Sequence, residues 1–426
     1  MGDGDISTRK DIYRIKVLGR LDASWSDWFN GMAVTFLDGV TVLTGEVADQ
    51  SVLHGLLAKI RDLNLTLVSL EPLPIETQGT NDDTKGGKTK MKNDLRTIRV
   101  AAVQMESEHG RVQANLAHAT PLVEKAAKEG AQLIVLPELA LTGYFLSTAL
   151  WDAAETMEGH AVRWLRETAK RLRVHLGAGF AETDGRDFFN TYVLTDPDGN
   201  VAGRVRKRNA EAFNFKRVTD STHVVETALG RIGIGICADN HYIFLPRLMQ
   251  EQAVDLMLMP HAMPGAWKTS KFVKEDDIET MRTKTRNLPV LYAKLLGVPA
   301  VFVNHVGAMC KIPGILGKIL DPAIFRLDGL SRIVDLDGTV LGELGSTEKD
   351  VLIADVTLDP ARKAHIEPEN YGGYTEPGSA LLRKAIIPMD IVLGRLSYGL
   401  SGQRKRKARR ITGLTGEPRG LPGGLR

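Results

Sequence analysis

Three side chains that could act together in catalysis each stand where an apolar segment ends. Cys237 closes the run RIGIGIC, whose alternating β-branched residues and glycines predict a strand. Glu138 follows the apolar segment 132–136, and Lys207 follows the extended segment 203–206. A thiol needs a base to become a thiolate, and attack on an amide needs a cation near the developing oxyanion. The three residues together fit cysteine-based acyl chemistry, although each alone also fits a structural thiol or a strand-end charge.

The segments around these residues predict a layered α/β domain. Between residues 96 and 360, strand-like apolar runs alternate with amphipathic helical runs and hairpins. The segment 244–249 reads as a helix start shortly after Cys237. A nucleophile at such a strand-to-helix turn is held exposed and close to backbone N–H groups.

These stretches resemble the nitrilase, or carbon–nitrogen hydrolase, superfamily. The matching stretches are LIVLPELALTGY at 133–144, GRVRK at 203–207, GRIGIGICAD at 230–239 and GLSRIVDLDGTVLGE at 329–343. The resemblance implies a four-layer αββα sandwich and hydrolysis of non-peptide C–N bonds in a small amide, an N-carbamoyl compound or a nitrile. It implies Cys237 as nucleophile, Glu138 as general base and Lys207 as the stabiliser of developing charge. No His/Cys/Asp/Glu spacing suggests a metal and no Gly-rich phosphate loop follows a strand, so no cofactor and no metal are expected.

Other polar residues are candidates for secondary roles. The family carries a second glutamate between the lysine and the cysteine. The segment FNFKRV at 213–218 has no acid, so Glu211 is the nearest candidate, with a loop surface charge as the alternative. Cys310 has no partner motif and reads as structural. Candidates for the oxyanion site or the pocket wall are Ala238, Asp239, Asn240, His241 and His261, with helix capping as the alternative for Asp239 and Asn240.

The chain divides by composition into four parts. Residues 1–75 predict a small ferredoxin-like α+β domain, because strand, short helix, hairpin, helix and strand follow one another. An interaction or regulatory role is expected for it. Residues 76–95 are polar and Gly-rich and predict a flexible linker, and 96–360 form the hydrolase domain. Residues 361–426 form an extension whose basic run 403–410 predicts a disordered tail, with contact to an anionic surface as the alternative.

Composition excludes several classes of protein. The formal net charge of +3 over 426 residues argues against a general nucleic-acid binder, and no specific nucleic-acid partner is expected. Two cysteines are too few for a disulfide framework, and a nucleophilic thiol needs a reducing compartment. No signal peptide or membrane-spanning run is apparent, so a cytoplasmic protein is expected.

Two further alternatives stay open at this point. Apolar positions recur at helical spacing in 244–249 and 288–295, which predicts either ordinary core or the two-fold interface of a homodimer or higher homo-oligomer. The chain is expected to be a hydrolase, and the alternative is a catalytically weak or inactive scaffold that keeps the hydrolase fold.

Overall fold

The computed structural model describes residues 11–19, 21–37, 40–47, 50–63, 65–73, 95–219, 221–271, 273–377 and 379–413. The chain forms two compact units, Met1–Lys90 and Met91–Arg426. Most of the predicted linker and the last thirteen residues, 414–426, lie outside the described residues.

The first unit is a four-stranded antiparallel sheet with one helix. Its elements are β1 (Asp11–Leu18), a 3₁₀ turn (Ala23–Trp25), β2 (Ala33–Leu37), β3 (Val40–Val47), α1 (Gln50–Asp62) and β4 (Thr66–Leu73). The strand order β2-β3-β1-β4 is that of a ferredoxin-like sheet, with the first helix reduced to the 3₁₀ turn. Ile15, Leu43 and Leu56 are buried in its own hydrophobic core.

The second unit contains two six-stranded sheets and one three-stranded sheet. Its strands are β5 (Arg96–Gln104), β6 (Leu133–Val135), β7 (His175–Thr183), β8 (Phe188–Thr195), β9 (Val201–Arg206), β10 (Val224–Thr227), β11 (Gly230–Ile234), β12 (Leu256–Pro260), β13 (Pro264–Ala266), β14 (Ala300–Val303), β15 (Val306–Ala308), β16 (Phe325–Asp328), β17 (Arg332–Val334), β18 (Val340–Glu343) and β19 (Asp350–Leu358). One large sheet has the order β19-β5-β6-β7-β8-β9 and the other β10-β11-β12-β14-β17-β18. The small sheet has the order β13-β16-β15.

Seven helices accompany these strands among the described residues. They are α2 (Val112–Lys128), α3 (His160–Leu172), α4 (Phe244–Glu251), α5 (Glu275–Leu296), α6 (Leu316–Ile319), α7 (Ile387–Leu400) and α8 (Gly402–Ile411). Short 3₁₀ segments cover Thr148–Asp152, Cys237–His241 and Pro360–Arg362, and a π-helical turn, Leu382–Ile386, precedes α7. Within the described ranges, no helix combines the length and the apolar character needed to cross a bilayer.

The two large sheets pack face to face between helices. Val100 and Val135 of one sheet share a core with Ile232 and Ile234 of the other. Helices α2 and α3 cover the outer face of the first sheet, and α4 and α5 cover the outer face of the second. The predicted four-layer αββα sandwich is therefore confirmed.

The apolar positions of α4 and α5 belong to this core. Leu245, Met249, Leu288, Tyr292 and Leu295 are all buried against the second sheet within a single chain. These five positions are ordinary core. Phe244, Leu248 and Leu291 are only partly buried, and the two-fold interface stays a prediction.

The prediction of a disordered basic tail is wrong for 403–410. This run lies in α8, where the Arg404 guanidinium is buried and pairs with Asp187. On α7, the Tyr398 hydroxyl accepts a hydrogen bond of 2.8 Å from the Phe188 N–H. Carboxylates that are distant in sequence neutralise part of the run, and the helices form because they pack on the hydrolase unit.

Candidate active site

A buried lysine lies between two carboxylates. The Nζ atom of Lys207 is 2.6 Å from Oε1 of Glu138 and 2.6 Å from Oε1 of Glu211. The side chains of Glu138 and Lys207 have no solvent exposure, and that of Glu211 keeps 18%. Charges are costly to bury unless they are paired and hydrogen-bonded. With two acids and one base, the cluster carries one net negative charge when all three groups are ionised.

Neighbouring groups fix both oxygens of Glu138. The Asn190 side-chain amide, on β8, donates a hydrogen bond of 2.7 Å to Oε1. The Ala262 N–H donates one of 2.9 Å to Oε2. The Asn190 main-chain carbonyl also accepts a hydrogen bond of 2.8 Å from the Lys207 main-chain N–H. Asn190 therefore positions both Glu138 and Lys207. The sequence analysis did not predict a role for Asn190. The only indication in the sequence was a polar amide side chain within a mostly apolar strand.

Gly179 in β7 lets the backbone of the turn after β6, which contains Glu138, approach closely. A Cβ at Gly179 would lie 2.3 Å from the Leu139 nitrogen, so a side chain cannot fit there. The Gly179 N–H instead donates to the Pro137 carbonyl at 3.2 Å. His305 contacts the Glu138 carbonyl oxygen at 2.7 Å through Nε2. The backbone of the glutamate is therefore held on two sides.

The structure places Glu211 beside the lysine rather than at a loop surface. Besides its contact with Lys207, its Oε2 accepts a hydrogen bond of 3.3 Å from Asn190. The Tyr144 hydroxyl donates to its Oε1 at 3.3 Å. Tyr144 lies in the family-like stretch at 133–144, but its contact with Glu211 was not predicted.

Cys237 opens the 3₁₀ segment that follows β11. Its φ of +45° lies in the left-handed region, which costs energy for a non-glycine residue and is typical of functional turns. Asn240 donates a hydrogen bond of 2.7 Å across this turn to the Gly235 carbonyl. The Asp239 carboxylate accepts a bond of 2.9 Å from the Arg208 N–H, which ties the turn to the segment after Lys207. The turn is thus braced from two directions.

The pKa values of Cys237, Glu138 and Glu211 are all shifted by burial and by the charges of the cluster. Burial, and then repulsion by Glu138, raise the pKa of the Cys237 thiol despite the attraction of Lys207. Burial also raises the pKa of Glu138, although Lys207 opposes the shift. Burial acts to raise the pKa of Glu211, but Lys207 outweighs it and the pKa falls. The cysteine therefore rests as a thiol, Glu211 stays ionised, and Glu138 is a stronger base than an ordinary carboxylate.

One backbone amide connects the nucleophile candidate to the cluster. The Ala262 N–H, which hydrogen-bonds Glu138, also hydrogen-bonds Cys237 and opposes the rise of the Cys237 pKa. Cys237, Glu211 and Ala262 line one cavity of about 440 Å³. The structure thus brings together Glu138, Lys207 and Cys237, the three residues at the segment ends.

The remaining predicted site residues separate into two groups. Ala238 and His241 line the cavity, as expected. Burial lowers the pKa of His241 to about 4, so its imidazole is neutral at neutral pH. Asp239, Asn240 and His261 are buried behind the wall instead. The expectation that these three line the pocket differs from the structure, because the first two brace the turn and His261 bonds a β12 carbonyl through Nδ1.

The far wall of the cavity comes from the C-terminal extension. Glu376, Leu382, Ile387 and Ile391 line it, a contribution that the sequence did not indicate. Arg217 lines the same cavity and donates hydrogen bonds to the Arg208 carbonyl and to Asn209. Among the described residues, no carboxylate forms an ion pair with it.

Cys310 has a partner that the sequence did not indicate. Its Sγ lies 2.9 Å from Nδ1 of His109. Burial raises the pKa of Cys310 and lowers that of His109, so the contact joins two neutral groups. Cys310 does not line the cavity of Cys237. In the described part of the chain, no cluster of His, Cys, Asp or Glu is arranged to hold a metal ion.

Comparison with known proteins gives two family matches. Residues 99–365 match the family model described as carbon-nitrogen hydrolase. Residues 12–71 match a model described only as a domain of unknown function (DUF8691).

Individual relatives are similar over part of the chain. A citrullinase from Francisella tularensis is 29% identical over 180 residues, which are 40% of this chain and 63% of that protein, just under two thirds of its length. The omega-amidase NIT2 of Mus musculus is 28% identical over 283 residues, 62% of this chain and 90% of that protein. The crystal structure of a carbon-nitrogen hydrolase from Helicobacter pylori G27 superposes with a TM-score of 0.54 at 21% identity, covering 63% of this chain and 91% of that one. At that identity, the superposition supports the fold alone.

Proposed function

Because the chain belongs to the carbon–nitrogen hydrolase family, we propose that it hydrolyses a non-peptide C–N bond through a thioester on Cys237. The observation that carries this proposal is the position of Lys207 between Glu138 and Glu211, beside the cavity that Cys237 lines. A buried cation, a strengthened carboxylate base and a thiol supply the three functions that amide hydrolysis needs.

The first half of the reaction acylates the cysteine. Glu138 accepts the Cys237 proton, and the sulfur attacks the carbonyl carbon of the amide. Negative charge then moves to the carbonyl oxygen, where Lys207 and the Ala238 N–H are the proposed stabilisers. Each such donor contributes about 2–4 kcal/mol to lowering the barrier. As the tetrahedral species collapses, the C–N bond breaks and Glu138 returns its proton to the leaving nitrogen, which departs as ammonia or an amine.

The second half regenerates the enzyme. Water attacks the thioester carbonyl while Glu138 accepts one water proton. Collapse of the second tetrahedral species breaks the C–S bond and releases the acid. Glu138 then reprotonates the Cys237 thiolate. We assign Glu211 the role of second glutamate, which keeps Lys207 cationic and orients it through their 2.6 Å contact.

This contact also weakens the scaffold alternative. The FNFKRV segment has no acid, but Glu211 supplies a carboxylate to Lys207 from just before it. We propose that the substrate is a small amide or an N-carbamoyl compound, and we rank nitriles as the third substrate class. The relatives named citrullinase and omega-amidase support the first two classes.

The test is release of ammonia or amine from a panel of amides, N-carbamoyl compounds and nitriles. The panel pairs each compound with and without a carboxylate, because Arg217 presents a cation with no carboxylate partner among the described residues. Turnover of a panel member should leave the acyl mass on Cys237 when the reaction is quenched with acid. Turnover that survives Cys237→Ala would overturn the assignment.

Two further expectations accompany the proposal. A thiol nucleophile works in a reducing compartment, so we propose the cytoplasm as its location. A homodimer or higher homo-oligomer also remains a prediction, and sedimentation of the purified chain measures it.

A further inference from the structure

The outward side of α7 exposes a stripe of large apolar side chains. Their exposed fractions are 49% for Met389, 55% for Val392, 44% for Leu393, 57% for Leu396 and 84% for Leu400. The spacing of these five positions places them along one side of a helix. We call these residues the α7 stripe. Contiguous exposed apolar surface of this kind marks a contact site for a protein or a membrane.

The opposite side of α7 packs on the hydrolase unit. Gly394 and Tyr398 are buried, and Ile387 and Ile391 line the cavity. A Cβ at Gly394 would lie 2.8 Å from that of Ala212, so the helix sits close to its support. Because the inner side already holds the helix in place, the outer stripe is not needed for docking of α7.

The segment that contains the α7 stripe is strongly basic. Residues 379–413 contain nine Lys or Arg and one acid, Asp390. That carboxylate accepts hydrogen bonds from the Ile315 and Leu316 N–H groups and so is turned toward the protein. Partners neutralise only part of the positive charge, as in the ion pairs Arg404–Asp187 and Lys407–Asp152.

Five exposed cations in this segment make no ion pair within the described residues. They are Lys384, Arg395, Lys405, Arg406 and Arg409, and all five are exposed. Arg395 lies on α7 between two stripe residues, and Lys405 lies five residues after the last one. An apolar stripe accompanied by free cations is the composition of a helix that lies in a membrane interface.

We propose that α7 and α8 dock this protein on an anionic lipid surface. The stripe enters the boundary between headgroups and acyl chains, and the free cations contact anionic headgroups. The helices lie on the bilayer, since no described helix is long and apolar enough to cross it. A symmetric contact with a second copy is less suited to this surface, because it would bring two sets of unpaired cations together. The proposal does not depend on the reaction at Cys237.

The test is co-sedimentation of the full chain with vesicles of phosphatidylcholine alone or with one quarter phosphatidylserine. We expect binding to the anionic vesicles and much weaker binding to the neutral ones, with affinity falling as salt rises. Neutralising Lys405, Arg406 and Arg409 together to Gln should weaken binding by about 100-fold, at about five-fold per charge. The double variant Leu396→Gln/Leu400→Gln should also lose binding, at unchanged far-UV circular dichroism.

A matched control removes the same charge elsewhere. Lys128, Arg163 and Lys170, changed together to Gln, are exposed on α2 and α3, and this variant should bind like the unchanged protein. Equal loss in the control, or no binding to anionic vesicles, would overturn the proposal. So would a dimer in sedimentation that Leu396→Gln/Leu400→Gln dissociates, since a second copy would then cover the stripe.

Discussion

The Asn190 side chain lies 2.7 Å from Oε1 of Glu138 and holds that oxygen beside Lys207. The same amide nitrogen reaches Oε2 of Glu211 at 3.3 Å. One neutral donor therefore spans both carboxylates of the cluster.

Asn190→Ala should lower kcat by about 10- to 100-fold with little change in KM, because the base loses a positioning hydrogen bond of about 2 kcal/mol. The acid limb of the pH–rate profile should also move to higher pH, since the Asn190 hydrogen bond lowers the pKa of Glu138. Thr191→Val is the matched control on β8, because its hydroxyl bonds Glu182 and not the cluster. An unchanged profile in Asn190→Ala would contradict the positioning role.

The pH dependence of the unchanged enzyme follows from the raised pKa of Glu138. The base must be ionised, so kcat/KM should fall as pH falls through that pKa, at a higher pH than for an ordinary glutamate. Glu211 raises the pKa of Glu138 by repulsion, so Glu211→Gln should move the acid limb to lower pH. Glu376→Gln, which changes a cavity-lining acid outside the cluster, should leave the limb where it is.

The two cysteines should differ in function. Cys237→Ala should reduce ammonia release by at least about 10³-fold, because no covalent intermediate can form. Cys310→Ala should keep near-normal turnover, since Cys310 contacts His109 and does not line the cavity. Limiting iodoacetamide, followed by peptide mass mapping, should label Cys237 in preference to Cys310. Preferential labelling of Cys310 would argue against Cys237 as the reactive thiol.

The sandwich and the three segment-end residues could be predicted because they are local features of the sequence. Glu138, Lys207 and Cys237 each follow a continuous apolar run, and strand ends within one α/β layer lie near each other. The placement of Asn190 could not be predicted in this way. Its role arises from pairing of β8 with β9 and from a contact that spans 52 residues of sequence.

The C-terminal helices α7 and α8 were also not predicted from the sequence. A run of six basic residues within eight positions predicts a solvated coil when only neighbours in sequence are considered. The two acids that pair with this run, Asp152 and Asp187, precede it by more than 200 residues. Only the tertiary fold brings them together. For the same reason, the contribution of α7 to the cavity wall could not be predicted from the sequence.

The first unit should be dispensable for turnover. It has its own core around Ile15 and Leu43, and Met91–Arg426 forms a separate compact unit. Residues 92–426 expressed alone should therefore be soluble, unfold cooperatively and release ammonia at a rate comparable to the full chain. An insoluble product, or a folded product without turnover, would show that the first unit completes the hydrolase.

The last prediction concerns Arg404, which anchors α8. Its side chain is 8% exposed and pairs with Asp187, which is 18% exposed. Arg404 also donates a hydrogen bond of 3.1 Å to the Tyr398 carbonyl, so it joins the end of α7 to α8. Arg404→Met keeps most of the aliphatic stem but leaves the Asp187 carboxylate without this partner. We expect the free energy of unfolding of the hydrolase unit in urea to fall by about 2–3 kcal/mol.

Arg410→Met is the matched control on the same helix. Its side chain is 65% exposed and pairs with Asp152, so the loss should stay below about 1 kcal/mol. A double-mutant cycle that combines Arg404→Met with Asp187→Asn should give a coupling energy of at least about 1 kcal/mol. Equal small losses in both single variants, with no coupling in the cycle, would mean that α8 does not depend on the buried pair. The docking of the C-terminal helices would then have to come from Tyr398 and the apolar contacts of α7.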